Sequence, residues 1–125
     1  MVTQFIIPVN PKTKKNSQQI IYNRKKKRHM IIQNQSYLSY EQICSEYIPQ
    51  LHIDYPVNIK AVYYRATKHR VDLTNLHEAL HDILIKYGCI VDDNYKIVHS
   101  TDGSYVDFDK ENPRTEITIT RIGEE

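Results

Sequence analysis

Leu73, Leu76, Leu80, Ile83, Leu84 and Tyr87 recur at steps of three and four residues, the period of an α-helix that buries one face. Asp72 is a favoured N-cap residue and Gly88 a favoured C-terminal stop, so the spacing predicts a helix over Asp72–Tyr87. A helix with one apolar stripe needs a surface to cover, and the rest of the chain supplies strands for that purpose.

Gln4–Val9, closed by Pro8 and Pro11, reads as a first strand. Pro11–Ser17 is a basic loop. Gln18–Asn23 and Met30–Asn34 are β-prone runs on either side of Arg24–Arg28, which predicts a hairpin with a basic tip. Tyr40, Ile43, Cys44, Tyr47, Ile48 and Leu51 give a first helix, capped by Ser36 or Ser39 and running to about Leu51 near Pro49. Val57–Ala66 reads as a central strand. Ile90–Val91, Lys96–Ser100, Tyr105–Phe108 and Thr115–Ile122 are shorter strand candidates. The expected fold is α+β, one domain over residues 1–125, with two main helices on a mixed sheet in the rough order β-β-β-α-β-α-β-β.

Charge is divided unevenly along the chain. Residues 1–40 carry eight Lys or Arg and no acid, whereas residues 41–125 carry nine Lys or Arg against fifteen Asp or Glu, a formal charge of −6. A basic arm on an acidic body suits a polyanion that also needs a metal ion, such as a nucleic acid; a solvated basic loop fits the charge equally well. The phosphate-binding candidates are Lys12, Lys14, Lys15, Arg24, Lys25, Lys26, Lys27, Arg28, Lys68 and Arg70. Tyr22, Tyr63 and Tyr64 can stack on unpaired bases, although such tyrosines more often belong to a core or sheet.

Two acidic groups carry the chemistry. Asp72, Asn75 and Asp82 lie along one flank of the predicted helix, with Thr74 and Glu78 one turn apart in a neighbouring row. Their oxygens are hard ligands suited to Mg²⁺ or Mn²⁺. Taken alone, Asp72 is better explained as a helix cap, with Glu78 and Asp82 in water, because this N-cap pattern is common. Asp92, Asp93 and Asn94 form the second group; adjacent carboxylates repel unless a cation sits between them, and the bland alternative is a turn. A strand–helix–acidic-turn order can bring Asp72 and Asp93 together at one end of a sheet.

Other chemistries are poorly served. His77 and His81 superficially match a zinc-protease HExxH pattern, but no third ligand follows at a familiar spacing, and they read as solvent-facing. Cys44 and Cys89 lack metal-type spacing and read as buried or semi-buried free thiols of a reducing compartment. There is no nucleophile motif and no phosphate-cradling Gly loop. No apolar run reaches membrane-spanning length, and Met1–Pro8 lacks the length and basic start of a signal sequence, so a cytoplasmic protein is expected.

Together, Arg70-Val71-Asp72-Leu73-Thr74-Asn75-Leu76-His77-Glu78-Ala79-Leu80-His81-Asp82-Ile83-Leu84, then Gly88 and Val91-Asp92-Asp93, with the early Pro11-Lys12-Thr13-Lys14-Lys15-Asn16 segment, resemble the RusA family of Holliday-junction resolvases, often encoded by phages and prophages of bacteria. The resemblance covers most of the chain. It implies a homodimeric, Mg²⁺-dependent endodeoxyribonuclease (Mn²⁺ substituting) that places paired nicks in a four-way DNA junction during recombination and repair, leaving a 5′-phosphate and a 3′-hydroxyl. By position it assigns metal binding to Asp72, Asp93 and the neighbouring Asp92, and catalytic roles to these with Asn75; Asp82 matches an acid later on the helix. Two positions depart from the pattern: Thr74 replaces a second Asp and Glu78 replaces a Lys. Glu78 stands one turn from Thr74, where it can return the lost carboxylate. Lys68 or Arg70 can supply the lost cation. The alternatives are a branched-DNA-binding module without catalysis, or a nuclease on other branched or single-stranded DNA.

Overall fold

The computed structural model describes residues 1–15, 18–33 and 35–123. Asn16 and Ser17 of the basic loop, and Asn34 at the end of the expected hairpin, lie outside the described residues. The elements in chain order are β1 (Val2–Ile7), β2 (Gln18–Asn23), β3 (Arg28–Gln33), α1 (Gln35–Ser45), β4 (Val57–Arg65), α2 (Leu73–Lys86), β5 (Val98–Ser100), β6 (Tyr105–Phe108) and β7 (Arg114–Arg121). The fold is α+β, as the hydrophobic periods require. The main sheet is mixed: β1 pairs antiparallel with β7, β7 antiparallel with β4, and β4 parallel with both β5 and β6. The hairpin β2–β3 is a separate two-stranded sheet.

β4 is central because its inward residues are apolar and β-branched or aromatic. Val57, Ile59, Ala61 and Tyr63 are buried, and with Ile7, Ile117 and Ile119 they meet Leu76, Ala79, Leu80, Ile83 and Leu84 of α2 in one core. Tyr37, Tyr40 and Cys44 bring α1 to the same core. β5 and β6 share β4 as their parallel neighbour, separated by the loop Thr101–Ser104. The Asn58 side chain holds that loop: its oxygen accepts from Ser100 Oγ (2.6 Å) and Asp102 N (2.8 Å), and its amide donates to the Asp102 carbonyl (3.2 Å).

α1 is shorter than its periodicity suggested. It begins at Gln35, so Ser36 and Ser39 lie inside the helix rather than capping it, and it ends at Ser45. Beyond it the chain tightens into i→i−3 bonds from Glu46 to Ile43 and Tyr47 to Cys44, because Pro49 disfavours helical geometry in the residue before it. Ile43, Tyr47 and Leu51, expected in the apolar stripe, are exposed, whereas Ile48 is buried. Ile90 forms only an isolated parallel bridge to Ile53.

α2 agrees closely with its stripe. Gly88 follows its end at φ +84, and a Cβ there would stand 3.2 Å from His52 Cε1. Gly88→Ala is therefore expected to cost about 1–2 kcal/mol, read as a lower urea midpoint with an unchanged slope.

Candidate active site

β4 ends at Arg65, and the connector to α2 delivers Asp72 to the N-cap position. Its carbonyl accepts from Asn75 N (3.1 Å) and Leu76 N (3.3 Å), but its side chain makes no capping bond. The Asp72 side chain is exposed. Asn75 Nδ2 reaches Asp72 Oδ2 at 3.4 Å. Lys15, Arg70, Val71, Asp72 and Asn75 line one open pocket of about 300 Å³. Of the two cations proposed to replace the missing helix lysine, Arg70 is there; Lys68 instead lies over the Phe108 ring, 5.0 Å from its centre. Lys15, from the N-terminal loop, is the cation that sequence order gave no reason to pair with Asp72.

The second acidic group forms at the other end of α2. The chain turns through Gly88, and Cys89 N and Ile90 N both donate to the Leu84 carbonyl (2.8 and 3.4 Å). Val91 N then bonds the Ile53 carbonyl, fixing where the acidic turn starts. Asp92 is occupied by that turn: its oxygens accept from Asp93 N (2.7 Å) and Asn94 Nδ2 (3.1 Å), and these bonds hold its carboxyl below the ordinary carboxylate range. Asp93 is pushed the other way, first by desolvation, then by the charges of Asp82 and Asp92. Lys14 forms an ion pair with Asp82. The N-terminal loop therefore sets one lysine on each acidic region of α2, Lys15 beside Asp72 and Lys14 on Asp82.

Asp72, Asp92 and Asp93 do not make a three-carboxylate cluster. Among the described residues no group of three His, Cys, Asp or Glu side chains converges tightly enough to hold a metal. Asp72 and Asp82 are ten residues apart on one helix, about 15 Å along its axis, and the Asp82 charge, after desolvation, is among those that raise the pKa of Asp93. The pair Asp82 and Asp93 still fits a divalent ion in kind. Both offer hard carboxylate oxygens, and Mg²⁺ commonly takes one or two carboxylates with water and phosphate completing its shell. Glu78 is exposed; its charge reaches Tyr37 across the helix pair, as does that of Asp82.

The basic candidates are unequally free. Lys14 has Asp82, and Lys12 donates to Ser36 Oγ at 2.6 Å. Lys15, Arg70 and the whole run Arg24–Arg28 are exposed. Of the tyrosines, Tyr63 is buried, Tyr64 is half-buried under the Arg114 guanidinium at 3.9 Å, and Tyr22 is exposed.

The histidines are not solvent-facing as expected. His81 is buried, His77 is half-buried, and their rings stack 5.6 Å apart at 4°. Tyr63 Oη and His77 Nδ1 share a hydrogen bond of 2.7 Å. The i, i+4 spacing was read as polar surface, but the row it defines faces the sheet rather than water. Burial first, then His77, pushes His81 down to about 4. An unfolded histidine takes up its proton near 6.5, so the unfolded chain binds protons first, and stability falls as pH drops from about 6.5 towards 4. Wild type is expected to lose on the order of 2 kcal/mol between pH 7 and pH 5, and His81→Gln to lose clearly less, both from urea unfolding. The cysteines follow the sequence reading: both are buried free thiols, pushed by burial up to about 11 for Cys44 and about 12 for Cys89, which makes them poor nucleophiles.

No curated protein matches the chain. The family model described as Endodeoxyribonuclease RusA matches residues 8–120, a span that contains the basic loop, the hairpin, both helices and both acidic groups. The chain belongs to the RusA endodeoxyribonuclease family.

Proposed function

We propose that this protein is a Mg²⁺-dependent endonuclease that resolves four-way DNA junctions by paired nicks, acting as a homodimer whose two-fold axis matches that of the junction. One observation carries the reading: the basic N-terminal loop lies against the acidic flank of α2, so that phosphate-binding cations stand beside carboxylates able to hold a metal. Lys15 and Arg70 bind a phosphate of the DNA backbone at the start of α2, away from the scissile one, since the helix separates that end from Asp82 by about 15 Å. Asn75 Nδ2 holds the Asp72 carboxylate in its orientation. Asp93 and Asp82 hold the divalent ion, with Asp72 the carboxylate nearest the bound phosphate. Asp92 shapes the turn that presents Asp93. The ion supplies a water nucleophile at neutral pH and stabilises charge on the phosphoryl oxygens. Lys14, paired with Asp82, balances the charge of that carboxylate and is a further cation within reach of a phosphate there. Residues 1–125 act as one unit, in the cytoplasm of a bacterial cell or a phage-infected one; among the described residues no helix is long and apolar enough to cross a membrane.

A second reading is a branched-DNA-binding module without catalysis. It is favoured by the lack of a three-ligand cluster among the described residues and by Thr74 and Glu78 at the two positions where the family pattern has Asp and Lys.

A labelled four-way junction incubated with the protein in Mg²⁺, Mn²⁺ or EDTA separates the two. Paired nicks are expected only with metal, falling at least about 10²-fold in Asp93→Asn. Tight binding with no nicks in either metal would establish the module and end the nuclease reading.

A further inference from the structure

Among the described residues, the hairpin β2–β3 contributes nothing to the hydrophobic core, and it presents aromatic and apolar side chains outside it. Its pairing sets Tyr22 opposite His29 and Asn23 opposite Arg28. Strand alternation places Ile31 on the same face as His29. Tyr22 is 53% exposed and Ile31 65% exposed, and the Tyr22 and His29 rings meet edge to face at 5.3 Å. Large apolar groups held in water on a two-stranded sheet separate from the main one are not explained by folding.

The tip of the arm names the partner's charge. Arg24, Lys25, Lys26, Lys27 and Arg28 are all exposed, and Asn23 Oδ1 closes the loop by accepting from Lys26 N at 2.9 Å. Lys27 adopts φ 51, a left-handed conformation that glycine usually supplies. A cation therefore stands where backbone geometry favours glycine. Five adjacent positive charges call for a polyanion, and the exposed ring pair beside them calls for flat, apolar faces. Unpaired nucleic-acid bases offer both.

We propose that the hairpin is a base-stacking arm: Tyr22, flanked by His29 and Ile31, stacks on bases exposed at the open centre of a branched DNA, while Arg24–Arg28 hold the phosphates around it. This rests on the junction-binding reading above and adds to it what is recognised, unpaired bases at the branch point rather than duplex arms alone.

The test measures binding in EDTA, so that cleavage plays no part, using a four-way junction with 2-aminopurine at its centre, the same junction with a mismatched core, and plain duplex. Wild type is expected to quench the probe and to prefer the mismatched core. Tyr22→Leu keeps an apolar side chain without the ring; it is expected to lose the quenching and about tenfold of that preference, with duplex affinity unchanged. Tyr22→Phe is expected to restore both. The double variant Arg24→Gln/Lys25→Gln is expected to weaken all three DNAs alike and to lower the salt slope by about 2. Quenching and preference that survive in Tyr22→Leu, or duplex binding that falls just as far, would overturn the arm's role while leaving junction binding intact. A wild type that binds none of the three DNAs would overturn the parent reading with it.

Discussion

Asp93→Asn is expected to lower junction nicking by about 10³-fold while leaving junction affinity in EDTA within a few-fold of wild type. Asp93 is the carboxylate of the acidic turn that its own turn does not consume, and burial with the neighbouring Asp82 and Asp92 charges already raises its pKa. Asparagine keeps its shape and removes the charge that a divalent ion needs. Asp92→Asn is the contrast. Asp92 accepts from Asp93 N and Asn94 Nδ2, and an asparagine oxygen can make the first of these turn bonds. Its nicking loss is expected to be about tenfold, measured under the same single-turnover conditions. Equal losses in the two variants would assign the turn's charge, not Asp93 itself, to the reaction.

Leu84→Ala is expected to show the largest loss of stability, about 2–5 kcal/mol by urea unfolding. Leu84 is fully buried in the core between α2 and the sheet. Its carbonyl also receives Cys89 N and Ile90 N, the bonds that turn the chain back towards Asp92 and Asp93. A cavity at this point loosens the seat of the acidic turn as well as the core. Nicking by folded Leu84→Ala at low temperature should therefore fall further than its folded fraction predicts. An equally destabilising cavity on the sheet side of the same core, Ile119→Ala, should track the folded fraction alone. Ile119 is likewise fully buried and lies in β7.

The elements were legible wherever period and punctuation agreed. α2 ran from its capping Asp72 to its terminal Gly88 because a six-residue apolar stripe admits only one helical register against a sheet. The hairpin was legible because two β-prone runs flank a tip whose charges cannot be buried. α1 was overextended because Tyr47 and Leu51 have apolar character in sequence but lie past the end of the helix at Ser45, on either side of Pro49, where they face water. The histidines were misplaced for the converse reason: a polar residue type is no guide to direction once Tyr63 offers His77 a hydrogen bond inside the fold.

The chain's order of residues determined by itself its α+β class, the helix bearing Asp72, the acidic turn bearing Asp93, and the segregation of positive charge into the first forty residues. These follow from local periodicity, turn chemistry and composition, which need no knowledge of distant contacts. Only tertiary structure decided which charges meet. α2 is a rigid rod that carries Asp72 and Asp82 about 15 Å apart along its axis, and the returning turn leaves Asp93 where the Asp82 charge acts on it. The folded N-terminal loop then lays Lys15 and Lys14 along the same helix, pairings across more than fifty residues that no local pattern encodes.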